Sequence, residues 1–137
     1  MTRLTAAFGF ALGLLANTAA AQPCEEFTAF AKGEGAPKVN ERAATCSSSK
    51  VLGGSVSIDC YWVFDYRADE AQRSFQKMVE DLALCVDDGL HKEATSVNHP
   101  DSFDQVTGHL GGQDVSLSLK DKGGLGQTLI FLRATRP

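Results

Sequence analysis

Four cysteines, Cys24, Cys46, Cys60 and Cys85, follow an N-terminal stretch with the pattern of an export signal. An even cysteine set in an exported chain ties the fold to disulfides rather than to metal or thiol chemistry. Residues 1–21 carry one charge, Arg3, then an almost unbroken apolar run over 6–16. They close on Ala19-Ala20-Ala21, the small-x-small pattern that signal peptidases cut. The run is too short to span a bilayer, and no second one follows. The expected organisation is a cleaved secretory signal peptide over 1–21 and a single disulfide-stabilised domain over 22–137. Such a product is soluble and periplasmic or secreted. Pro23 stands directly before Cys24, where a lipoprotein signal places a small residue, so no lipid anchor is expected.

A chain of 137 residues less the 21 of the signal is one domain's worth, enough for a modest core. Arg3 is the only charge in the leader, so 12 of the 13 basic residues and all 17 acidic ones remain, a net charge of −5. Nucleic acid and anionic membranes need a basic footprint, which this balance does not supply. No Cys-x-x-Cys pair is present, which removes the simplest thioredoxin-like chemistry. The partner classes left are another protein or a small ligand, and no motif calls for a cofactor.

Periodicity sets the architecture. Cys24, Phe27 and Ala31 have helical spacing over 24–32, with Glu25 and Glu26 at the start, Lys32 at the end and Gly33 as a stop. Residues 55–66 alternate cleanly: Val56, Ile58, Cys60, Trp62 and Phe64 on one face, Ser57, Asp59, Tyr61, Val63 and Asp65 on the other. Over 68–86, Ala71, Phe75, Met78, Leu82 and Cys85 form one apolar helical stripe. Strands are expected over 91–97, 103–110, 114–120 and 127–134, with Gly53-Gly54, Gly111-Gly112 and Gly123-Gly124 marking turns. Residues 128–132 are apolar on both faces, as in a central strand. The fold class that follows is α+β: an antiparallel sheet of five to six strands, one long helix packed on one face, a short N-terminal helix and two disulfides.

Cys60 lies on the apolar face of its strand and Cys85 on the apolar stripe of the next helix. A strand over 60–66 rises roughly 20 Å and a helix over 68–85 returns roughly 25 Å. A helix folded back antiparallel on its own strand therefore brings the two together. That favours Cys60–Cys85 and leaves Cys24–Cys46, each closing a loop worth about 3 kcal/mol. The rival is Cys46–Cys60 with Cys24–Cys85. A two-residue Gly53-Gly54 turn opposes it, because that turn pairs Ser47 with Cys60.

Two sets of residues compete for function. Tyr61 and Val63 share the strand face opposite the long helix, near Ser116, Ser118 and Thr128. With Lys120, Lys122, Leu125 and Gln127 of the following glycine-rich loop they form a mixed aromatic, hydroxyl and cationic surface suited to binding. Leu125 is a lone apolar residue at a hairpin tip. The favoured reading is a non-enzymatic binding, inhibitor or accessory domain acting on another envelope or extracellular protein. The alternative is a small hydrolase or metal-dependent enzyme using His99, Asp101, Ser102 and His109. No nucleophile elbow surrounds Ser102, and no His-x-x-x-His helix supplies metal ligands, so turn chemistry around Pro100 explains that cluster more simply.

Overall fold

The computed structural model describes residues 21–93, 96–98 and 101–136; residues 1–20 of the expected signal lie outside them. The chain runs α1 (Ala21–Lys32), β1 (Thr45–Lys50), β2 (Val56–Asp65), α2 (Asp69–Ala83), β3 (His91–Lys92), β4 (Ser96–Asn98), β5 (Asp101–Leu110), β6 (Gln113–Lys122) and β7 (Gln127–Arg136). All pairings are antiparallel, in the order β1-β2-β7-β6-β5. The sixth position is shared by β3 and β4, both on the free edge of β5. The single expected strand over 91–97 is thus two short ones. Among the described residues no helix is long and apolar enough to cross a membrane.

Strand β7 has the two-faced apolar sequence of a central strand, and it inserts between the N-terminal hairpin and the β5–β6 meander. Both helices lie on one side of the sheet. Phe27, Phe30 and Ala31 of α1 and Ala71, Phe75, Met78 and Leu82 of α2 bury against Ile58, Cys60, Trp62, Phe64, Leu117, Ile130 and Leu132. These strand residues share one parity of the pleat, so the alternation read in β2 is the core face as expected. Ser74 is also buried in α2, where its hydroxyl accepts a hydrogen bond from Asn40 Nδ2 at 2.8 Å. Arg42 fixes the same loop: its guanidinium sits over the Phe64 ring and pairs with Glu70.

The cysteines pair as Cys24–Cys85 and Cys46–Cys60, which overturns the favoured connectivity in both halves. The first reason is register. The β1–β2 turn has a three-residue tip, Leu52-Gly53-Gly54, closed by the Val51 N–H donating to the Ser55 carbonyl. One extra residue moves the register by one, so Cys46 rather than Ser47 faces Cys60, with Cα atoms 4.1 Å apart. The second reason is the path of α2. It does not retrace β2 but crosses the sheet to deliver the chain to the far edge. Asp87 N–H donates to the His109 carbonyl of β5 at 2.9 Å. Gly108 of β5 is approached so closely that an added Cβ would stand 3.1 Å from both Val86 and Leu90. Strands β2 and β5 are separated by β7 and β6, roughly 14 Å across the sheet. Cys85 therefore leaves Cys60 and meets α1, its neighbour in the helical layer.

Candidate functional site

The opposite parity of each strand faces away from the helices, and the ladder aligns it into rows. Tyr61, Phe131, Ser118 and Gln105 are successive partners across β2, β7, β6 and β5. On one side lies the row Val63, Leu129, Lys120 and Phe103, and on the other Asp59, Arg133, Ser116 and Thr107. Ser47, Asp59, Tyr61, Phe103, Gln105, Ser116, Ser118, Lys120, Phe131 and Arg133 line a depression of about 500 Å³ in this outer face. The face is therefore indented here rather than flat.

Lys120 lines this depression from the row beside Tyr61 and Phe131. Its Nζ stands 4.8 Å from the centroid of the Phe131 ring and 5.5 Å from that of Phe103, within cation–π range of both. Tyr61 packs on the other side of Phe131, ring centroids 5.6 Å apart and planes tilted by 39°. Burial holds the Lys120 amine below its ordinary pKa; Lys122 and Arg133 add to the effect and Asp59 partly opposes it. Arg133 is held differently: its Nε pairs with Asp59 Oδ1, while Ser57 Oγ donates to Asp59 Oδ2 at 2.8 Å. Among the described residues the Lys120 ammonium has ring faces but no carboxylate in ion-pair contact.

Of the residues expected to bind, Tyr61, Ser118 and Lys120 line the depression. Val63 shares the face beside Tyr61 and is 39% exposed. Lys122 and Gln127 pair with each other at the ends of β6 and β7, beyond the rim. Leu125 lies in the 3₁₀ turn Gly123–Leu125 and is 69% exposed, projecting from the sheet end rather than folding back onto it. Thr128 belongs to the other face. It is buried, donates to Asp121 Oδ1 at 2.6 Å and accepts the Arg67 N–H at 2.8 Å. Phe103, Gln105, Phe131, Arg133 and Asp59 were not singled out from the sequence. Their common face depends on β7 lying between β2 and β6, a non-local pairing that no local pattern encodes.

A second depression of about 320 Å³ continues the same face toward the other strand ends, lined in part by His91, Thr107, His109, Asp114 and Thr135. It shares Ser116 and Arg133 with the first. His109 Nδ1 is 2.8 Å from Asp114 Oδ1, both well exposed. His99 lies outside the described residues, as do the side chains of Asp101 and Ser102. Ser102 and His109 occupy opposite ends of the continuous strand β5, roughly 23 Å apart by strand rise, so His109 cannot serve Ser102 as a base. Among the described residues no three His, Cys, Asp or Glu side chains stand close enough to hold a metal ion.

No protein-family model matches the sequence, and no curated protein matches it either. Among solved structures, the crystal structure of CalU16 from Micromonospora echinospora is 13% identical, with 71% of this chain and 70% of that chain aligned at a TM-score of 0.33. A TM-score of that size does not establish a shared fold.

Proposed function

We propose that this is an exported, non-enzymatic binding domain that acts on another envelope or extracellular protein through its outer sheet face. The observation that carries the reading is the concave face built by Tyr61, Phe131, Lys120 and Ser118, which neither helix covers. Rings for apolar contact, hydroxyls for hydrogen bonds and a cation are the materials of a contact surface rather than of a reaction centre. Leu125, projecting beside the same sheet end, extends that surface. The pattern of residues 1–21 and the two disulfides support export to an oxidising compartment. The mature N-terminus expected from mass spectrometry of the exported protein is Gln22.

The test is capture of partners from the native envelope under oxidising conditions, with wild type compared with Tyr61→Ala and Leu125→Asp. Leu125 is well exposed and Tyr61 is half-buried on the outer face, outside the core between sheet and helices. A far-UV and near-UV circular dichroism spectrum like that of wild type establishes that each variant is folded. A partner held by wild type and lost from either variant supports the reading. An identical partner set from all three proteins overturns the proposed surface.

A further inference from the structure

We infer that the Lys120 depression is a seat for a small aromatic carboxylate, its acid group on the lysine ammonium and its ring against Tyr61 and Phe131. This goes beyond a protein-binding role. It rests on the outer face being the contact surface, but not on the partner being a protein.

Charge complementarity comes first. Two cations, Lys120 and Arg133, line the depression with one carboxylate, Asp59, and that carboxylate is committed to Arg133 and Ser57. Among the described residues Lys120 is left facing ring π-clouds, which attract a cation but do not neutralise it. Burial is the main cause that lowers its pKa, with Lys122 and Arg133 adding to the effect and Asp59 opposing it, so the amine is a partly desolvated cation. An incoming carboxylate would supply the missing counter-charge in a partly desolvated place, where a charge pair is worth more than in water.

The surroundings specify what carries the acid. Phe103, Phe131 and Tyr61 give a wall of ring faces on both sides of the amine, and offset or edge-to-face contact needs centroid separations of about 4.5–7 Å. Ser116, Ser118 and Gln105 add donors and acceptors around the same point. The volume of about 500 Å³ is that of a small-molecule site.

The test is an NMR titration of the purified, oxidised, isotope-labelled domain with three probes: phenylacetate, its neutral amide phenylacetamide, and acetate. Phenylacetate is expected to saturate at millimolar concentration and to move the backbone amides of Ser118, Lys120 and Phe131. Phenylacetamide, lacking the charge, and acetate, lacking the ring, should each bind at least about tenfold more weakly. Lys120→Met should weaken phenylacetate by at least about tenfold, whereas Lys120→Arg, which keeps the cation, should retain clearly more of the binding than Lys120→Met. A dispersed spectrum for each variant establishes that it is folded. Equal binding of phenylacetamide, equal binding of acetate, shifts outside the depression, or no loss in folded Lys120→Met would each overturn the assignment. Because no other protein is present, the two failures are distinguishable. A failed titration overturns the aromatic carboxylate and leaves a protein contact on this face to the capture experiment, whereas a failed capture with a successful titration overturns the protein partner alone.

Discussion

Removing Cys24 and Cys46 together distinguishes the two disulfide arrangements by chemistry as well as by stability. In the pairing observed, Cys24→Ala with Cys46→Ala breaks both bridges and leaves Cys60 and Cys85 as free thiols on different elements. In the alternative pairing, the same double variant would lose one bridge and keep a Cys60–Cys85 bond. The cross-links span 61 and 14 residues. Loop-closure entropy makes them worth about 4 and about 3 kcal/mol. Their joint loss of about 7 kcal/mol is comparable to the whole net stability of a small domain, about 5–15 kcal/mol. Cys24→Ala with Cys85→Ala loses only the larger bridge, about 4 kcal/mol, and keeps Cys46–Cys60 intact. Thiol titration in denaturant, without reductant, should count two thiols in the Cys24/Cys46 variant and none in the Cys24/Cys85 variant. Urea melts should rank the Cys24/Cys46 variant as much the less stable. A thiol count of zero in the Cys24/Cys46 variant, or the reverse stability order, would refute the register and helix path described above.

Two further outcomes follow from the inner and outer faces. Thr128→Val keeps the shape but strips the hydroxyl that bridges Arg67 N–H and Asp121, leaving a part-buried donor unmet, so the unfolding free energy should fall by about 1–3 kcal/mol in chemical melts. The Lys120 amine has a folded-state pKa below its unfolded value, so in the window between them the unfolded chain binds more protons and stability rises with pH. Lys120→Met removes that rise: as the pH is raised toward the ordinary lysine range the melting temperature of wild type should gain on that of the variant, and parallel curves would contradict the lowered pKa of the amine.

What the sequence made legible was whatever a single element encodes. The period-two pattern of β2 named its buried residues, and the stripe Ala71, Phe75, Met78 and Leu82 named the packed face of α2. The Gly-Gly turns show where this stops. Gly111-Gly112 forms a two-residue turn pairing Leu110 with Gln113, as its composition demands. Gly53-Gly54 sits in a three-residue tip, also at positive φ, and that one residue reverses the facing of Cys46. Glycine permits both turns, so the dipeptide cannot choose between them; the bridge to Cys60 and the ladder with β2 do. The site follows the same logic. Tyr61, Ser118 and Lys120 could be placed on an outward face from their own strands. Asp59 shares that face of β2, but Phe131, Phe103 and Arg133 join it only through cross-strand register, which is a property of the assembled sheet.

The proposed function requires that partners meet the outer sheet face. Its most direct test is site-specific photocross-linking in the native compartment, with a photoreactive phenylalanine analogue at position 61 on that face and, separately, at position 84 on the exposed end of the helical layer. A discrete adduct is expected from position 61 and none from position 84. An adduct from position 84 with none from position 61 would place the contact surface on the helices and contradict the proposed function.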